Sequence, residues 1–212
     1  MTRLLYSGSH RSLIRQSQLP PSSQVKNTRI GLLGGSFDPA HKGHVHISHV
    51  AKRILNLNAV WWLVTPQNPH KPNAQSAHQK RLNKARDITK GLRWIRITPF
   101  EDHINSFRTY QTLKTLKKLY QHTDFIWIGG LDTAHGFHRW ENFKDILRIM
   151  PVAFIARRPW LNFAKNTVFS KFSQRKLKSL YLTRRTNQPF DKNTVYWVKQ
   201  GRTNPLSSTL LR

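Results

Sequence analysis

The stretch Ile30-Gly31-Leu32-Leu33-Gly34-Gly35-Ser36-Phe37-Asp38-Pro39-Ala40-His41-Lys42-Gly43-His44 decides how this chain folds. Its first four residues read as a short apolar strand, and apolar residues then recur at helical spacing through Ile47, Val50, Ala51, Ile54 and Leu55. The glycines and the two imidazoles therefore fall in a strand-to-helix turn. Backbone N–H groups in the first turn of a helix have no intrahelical partner, and the helix dipole favours negative charge there, so such a turn suits an anion such as phosphate. His41 and His44, separated by Lys42-Gly43, both face one small volume at the helix start, and Gly43 lets a ligand come close to the backbone. Zinc is the rival reading of paired histidines, but zinc sites usually take a third protein ligand, and the glycine-rich strand-to-helix context favours phosphate.

Outward from the turn, strand-like runs alternate with helical patterns. The strands are read at Ile30 to Leu33, Ala59 to Val64, Trp94 to Thr98, Phe125 to Ile128, Val152 to Ile155 and Val195 to Val198. Helices are read at Ala77 to Lys90, Thr109 to Leu119, Glu141 to Ile149 and Ser173 to Tyr181. That alternation predicts an α/β fold: a Rossmann-like, doubly wound parallel sheet with helices on both faces. In such sheets ligands bind beyond the carboxyl ends of the strands, where the opening turn lies.

The chain has 212 residues, 38% of them hydrophobic, enough for one sizeable core. No apolar run approaches the roughly 20 residues that span a bilayer, so a soluble protein without a membrane partner is expected. There is no cysteine, which excludes disulfides, thiolate catalysis and cysteine-bound zinc. Lys and Arg number 36 against 9 Asp and Glu, a formal charge of +27, which predicts attraction to polyanions and anionic substrates. The basic residues are dispersed along the whole chain, which favours a solvated surface over specific nucleic-acid recognition. Residues 1–28 hold no acid, several Arg and Ser, and the breaker Pro20-Pro21-Ser22-Ser23, and read as a basic, poorly ordered extension. A transit peptide, a start site set too far upstream and a dispensable tail are all compatible with it. The domain is then 29–212.

The segment Gly-Gly-Ser-Phe-Asp-Pro-x-His-x-Gly-His, residues 34–44, resembles the signature of the nucleotidyltransferases with a His-x-Gly-His motif. The resemblance implies in-line attack of an acceptor phosphate on the α-phosphate of a nucleoside triphosphate, with His41 and His44 donating hydrogen bonds to its oxygens. It implies that Gly34, Gly35, Ser36 and Phe37 cradle the phosphates. Such a reaction needs positioning and charge neutralisation more than a nucleophile.

Later segments are similar to bacterial nicotinate-nucleotide adenylyltransferases. Thr65-Pro66-Gln67-Asn68-Pro69-His70-Lys71-Pro72 resembles their proline-rich acceptor loop, and the resemblance implies that Asn68, His70 and Lys71 would face the acceptor nucleotide. Ser106 to Leu113 resembles their Ser-Tyr-Thr-x-x-Thr-Leu segment, with Arg108 where an aromatic residue is usual, and only Thr109 is carried over. Gly130-Leu131-Asp132, followed by Trp140, resembles a strand-end Gly-x-Asp and a later aromatic-x-x-Trp. Asp132 would accept hydrogen bonds from ribose hydroxyls and Trp140 would stack on the pyridine ring. Ala156-Arg157-Arg158-Pro159 resembles an element near the nucleotide, where Arg158 or Arg157 pairs with phosphate. Pro205 to Arg212 is similar to the family's Ile-Ser-x-Thr-x-Ile-Arg motif, in which Ser207, Thr209 and Arg212 would hold the leaving phosphates. The family continues with a final helix after that motif, and the sequence at hand stops at Arg212, so a domain lacking that helix is expected.

Taken together, the resemblance implies an enzyme that converts nicotinate mononucleotide and ATP to nicotinate adenine dinucleotide and pyrophosphate, a step towards NAD. Mg²⁺ is implied as a companion of ATP, bound to phosphates and water with no protein ligand. Nicotinamide mononucleotide and pantetheine phosphate are the alternative acceptors. A basic RNA-binding module on a decayed nucleotidyltransferase fold is the alternative from another class.

Overall fold

The structure is a computed structural model that describes residues 10–66, 77–106, 108–156, 167–171, 177–181 and 186–199. Seven strands form one sheet: β1 (Arg29–Gly35), β2 (Ala59–Val64), β3 (Ile95–Thr98), β4 (Asp124–Gly130), β5 (Val152–Ala156), β6 (Leu177–Tyr181) and β7 (Val195–Lys199). Their order is β3-β2-β1-β4-β5-β7-β6, and every neighbouring pair is parallel. The chain winds outward from β1 to β3 and then returns to place β4 on the other side of β1. The topological switch point thus lies between β1 and β4, where a doubly wound sheet binds its ligands.

The six expected strands all form, and their near-continuous apolar character has a plain cause: the sheet is covered on both faces. Ile30 and Leu32 of β1, Trp61 and Leu63 of β2, Phe125 and Trp127 of β4, and Val152 and Phe154 of β5 point into one buried cluster. The alternate residues Leu33, Val60, Trp62, Val64, Ile126, Ile128, Ala153 and Ile155 point into the other. On that second face lie α2 (Lys42–Ile54), through Ile47, Val50, Ala51 and Ile54, and α3 (His78–Ile88), through Leu82 and Ala85. The first face is covered by α1 (His10–Gln16), α4 (Phe100–His103), α5 (Thr109–Leu119), α6 (Leu131–Gly136) and α7 (Phe143–Ile149).

Two expectations are corrected. The segment Ser173 to Tyr181 was expected to be helical, but Leu177–Tyr181 is the edge strand β6, paired with β7 from Leu177↔Val195 to Tyr181↔Lys199. Leu177 and Leu180 stand at a helix-like spacing of three. In a strand that odd offset sends them to opposite faces, and Leu177 indeed packs against one core cluster and Leu180 against the other. The extension expected over 1–28 is, from residue 10 onward, part of the fold. Leu13, Ile14, Leu19 and Val25 are buried in the first-face cluster. Backbone carbonyls of this segment accept hydrogen bonds from core elements: Thr98 Oγ1 to Ser17 O at 2.6 Å, Tyr120 Oη to Pro20 O at 3.0 Å and Thr123 Oγ1 to Val25 O at 2.9 Å. The scarcity of acids that suggested an unstructured tail says nothing about the four apolar residues that cover the sheet.

Candidate active site

β1 ends at Gly35, beside the end of β2, where Thr65 N donates to Gly35 O at 3.0 Å. Gly34 is required by close approach: a Cβ built there would lie 2.2 Å from Cη2 of Trp127 on β4. Phe37 then takes a left-handed conformation, with φ 49°, unusual for a residue with a large side chain. Burial holds it there. Its ring stacks on Trp62 at 4.7 Å and leans on His44 at 4.8 Å.

His41 is the N-cap of α2 and makes with His44 a reciprocal cap. The Nδ1 of His41 accepts from Gly43 N at 3.1 Å, and the Nδ1 of His44 accepts from His41 N at 3.2 Å. Two imidazoles do here what a hydroxyl and a carboxylate do in the usual capping box. The two rings lie 3.9 Å apart between centroids. Because each Nδ1 accepts a hydrogen bond, the neutral form of each ring carries its proton on Nε2. Both rings therefore present an Nε2–H donor. This refines the anion site expected from the sequence: His41 N and Gly43 N are taken up by the rings, and the imidazole donors stand in their place. Trp62 Nε1 donates to Ser48 Oγ at 2.8 Å, and that hydroxyl donates to His44 O at 2.9 Å, so the backbone of His44 is tied to β2.

Across the switch point, α6 follows β4 without a linker, and the exposed Asp132 stands in its first turn. The side chain folds back over Gly130, beside Ile47 of α2, so Asp132 lies next to the helix that carries the histidines. Trp140, half-buried, packs against Phe137 at 4.9 Å and edge-on against Trp127 at 5.4 Å. Trp127 is thus wedged between the glycine turn and Trp140. Its Nε1 is buried with no hydrogen-bond partner among the described residues. Thr109, half-buried, opens α5, and the preceding Arg108 pairs with Glu141, the residue after Trp140. The structure therefore brings His41, His44, Gly34, Gly35, Ser36, Phe37 and Asp132 to one end of the sheet, with Thr109 and Trp140 linked beside them. Asn68, His70, Lys71, Arg157, Arg158, Ser207, Thr209 and Arg212 lie outside the described residues.

Two charged residues missed in the sequence stand beneath this end of the sheet. Arg81 of α3 is 1% exposed; its Nη1 donates to Ser36 O at 2.6 Å and Thr65 O at 2.7 Å, and its Nη2 to Pro66 O at 2.7 Å. Burial lowers its pKa, while Asp38 and Asp102 act in the opposite direction. The available signal was positional: Arg81, Leu82 and Ala85 form the buried face of α3. Glu101 of α4 is buried as well, and Thr112 Oγ1 donates to its Oε1 at 2.9 Å. Burial pushes its pKa up to about 7, against hydrogen bonds from Thr65 and Thr112, with nearby Asp102 pushing the same way as burial. Nearby, His78 contacts Asp102 through Nδ1 at 2.7 Å and Val64 O through Nε2 at 3.0 Å. Among the described residues no group of three or more His, Cys, Asp or Glu could hold a metal ion.

Residues 32–212 match the cytidylyltransferase-like family model. A protein of Ruegeria sp. (strain TM1040) named "Probable nicotinate-nucleotide adenylyltransferase" is 45% identical over 128 residues, covering 60% of this chain and 67% of its own. One of the same name from Methylorubrum extorquens (strain PA1) is 48% identical over 130 residues, covering 61% and 70%. Among solved structures, the nicotinic acid mononucleotide adenylyltransferase of Plasmodium falciparum complexed with NaAD shares the fold with a TM-score of 0.61 at 16% identity, over 84% of this chain and 77% of that one. A glycine turn with two Nε2–H donors at a switch point, together with these matches, places the molecule: the chain belongs to the cytidylyltransferase-like family and, within it, to the nicotinate-nucleotide adenylyltransferases.

Proposed function

We propose that this protein joins nicotinate mononucleotide and ATP to give nicotinate adenine dinucleotide and pyrophosphate, a step in NAD biosynthesis. The observation that carries the reading is the reciprocal His41–His44 cap, in which each Nδ1 accepts from the backbone and so leaves the proton of each neutral ring on Nε2. A phosphate oxygen of the acceptor attacks the α-phosphorus of ATP. The bond from that phosphorus to the bridging oxygen breaks, and the electron pair leaves with pyrophosphate. His44 and His41 donate to the α-phosphate oxygens as charge builds, and the turn from Gly34 to Phe37 holds the chain of phosphates. Fixed donors of this kind lower the barrier because they need no reorganisation as the reaction proceeds.

Asp132 receives the ribose hydroxyls of ATP, and Trp140 stacks on the pyridine ring of the acceptor. Thr109, with Asn68, His70 and Lys71, completes the acceptor side. Arg158, Ser207, Thr209 and Arg212 take the β- and γ-phosphates. Mg²⁺, carried in on triphosphate oxygens and water, supplies further charge neutralisation when bound. The proposed step in NAD biosynthesis assigns the cytoplasm as the place of action; no helix among the described residues is long and apolar enough to cross a membrane.

Purified protein given nicotinate mononucleotide, ATP and Mg²⁺ should release pyrophosphate, and His44→Ala should lower turnover by roughly 10²–10³-fold, the usual effect of losing one such donor. A variant that keeps its rate overturns the role of His44. Side-by-side rates with nicotinamide mononucleotide and pantetheine phosphate decide the acceptor.

A further inference from the structure

We propose that Arg81 is a positioning residue for adenylyl transfer: its buried guanidinium ties the phosphate turn to the end of β2 and so sets the separation of the two substrates. The proposal rests on the function given above. Ser36 O belongs to the turn after β1, which holds the phosphates of ATP. Thr65 O and Pro66 O belong to the end of β2, from which the chain runs on to Asn68, His70 and Lys71 on the acceptor side. One side chain from a third element, α3, bonds all three carbonyls at 2.6 to 2.7 Å.

The chemistry of the group suits this task and no simpler one. A role in packing alone would be served by an apolar side chain, without the penalty of removing a cation from water. A guanidinium presents its N–H donors as a rigid planar fork, so it fixes the relative position of the acceptors it bridges; an ammonium, a single point of charge on a flexible stem, cannot. Asp38, inside the glycine turn, and Asp102, at the neighbouring helix α4, add attraction that keeps the cation in place. The reaction itself forms no covalent intermediate with the protein in the reading given, so its rate depends on how the acceptor oxygen approaches the α-phosphorus. A misplacement of about 1 Å in such a pair can cost on the order of 10²-fold in rate.

The test compares wild type with Arg81→Lys, which keeps the charge and loses the fork, and with Arg81→Met, which keeps the length and loses both. Folded fraction is measured by circular dichroism and thermal melting, and binding of ATP and of nicotinate mononucleotide is measured separately by calorimetry. The expected result for a folded variant is a fall in kcat of about 10²-fold with each substrate, presented alone, binding within roughly threefold of wild type, because each half-site survives and only their separation is lost. A kcat equal to wild type, or a loss of kcat that merely follows the folded fraction in both variants, overturns the proposal. Failure of the functional reading looks different: wild type itself would then make no dinucleotide.

Discussion

In the proposed reaction His44 would serve the helix with one end of its ring and the phosphate with the other, and the two services can be separated. At the third helical position a Glu or Gln reaching back to the N-cap backbone is the ordinary capping partner, and losing a cap costs about 1 kcal/mol. His44→Glu should therefore recover in a denaturant titration the stability that His44→Ala loses. Both variants should be equally poor catalysts, since a carboxylate repels the phosphate that the imidazole attracts. Glu101 allows a prediction against pH. Its pKa is raised to about 7 in the folded protein, above the ordinary carboxylate value of 4.5, so the native state binds the extra proton. The contribution is fully present below about pH 4.5 and is lost as pH rises through about 7, amounting to roughly 3 kcal/mol at about 1.4 kcal/mol per unit. Glu101→Gln keeps a partner for Thr112 and has no proton to lose. Urea midpoints measured from pH 5 to 8 should fall for wild type and stay level for the variant; parallel curves would show that Glu101 does not titrate there.

At the scale of elements, the glycine turn, Trp127 and Trp140 form one row of contacts from the carboxyl end of β1 to the aromatic proposed for the acceptor. Gly34→Ala should push Trp127 from its place, because the added methyl would meet its ring at 2.2 Å and the indole is fully enclosed. Overpacking of this kind typically costs about 1–3 kcal/mol. It should appear as a lower melting temperature and as an altered tryptophan emission, and an unchanged emission spectrum would mean the indole has not moved. Neither Gly34's neighbour nor the wedge was legible in the sequence, because a strand pattern says which face Trp127 is on and not which residue of β1 its ring overlies. The sheet was legible for the opposite reason. Its strands are buried on both faces, so β1, β2, β4, β5 and β7 stand out as apolar runs whatever lies beside them. The edge strand β6 was not, because its two leucines fit a helix as well as a strand and only pairing with β7 decides between them. The same limit hid Arg81 and Glu101. A charged residue looks solvated until the fold shows three carbonyls around it, or two threonines.

For the molecule as a whole, residues 10–28 close the first face of the sheet. A chain beginning at Thr28 loses the buried Leu13, Ile14, Leu19 and Val25, each worth about 1.5–3 kcal/mol when fully buried. For a protein of this size each kcal/mol moves the melting temperature by about 2–4 °C. The shortened chain should melt at least about 10 °C lower and bind more of a dye that reports exposed apolar surface; an equal melting temperature would show that the segment contributes nothing in solution. The order of the strands carries one more consequence, for synthesis. β1, which bears the glycine turn, leaves the ribosome early, but the strand on its other side, β4, begins only at Asp124. A nascent chain can pair β1 with β2 and β3, yet the proposed nucleotide cleft has no second wall until β4 has emerged. Parallel pairings between such distant segments form slowly. The half-made chain therefore lacks a complete cleft, and its open apolar face is prone to aggregation before any substrate can steady it.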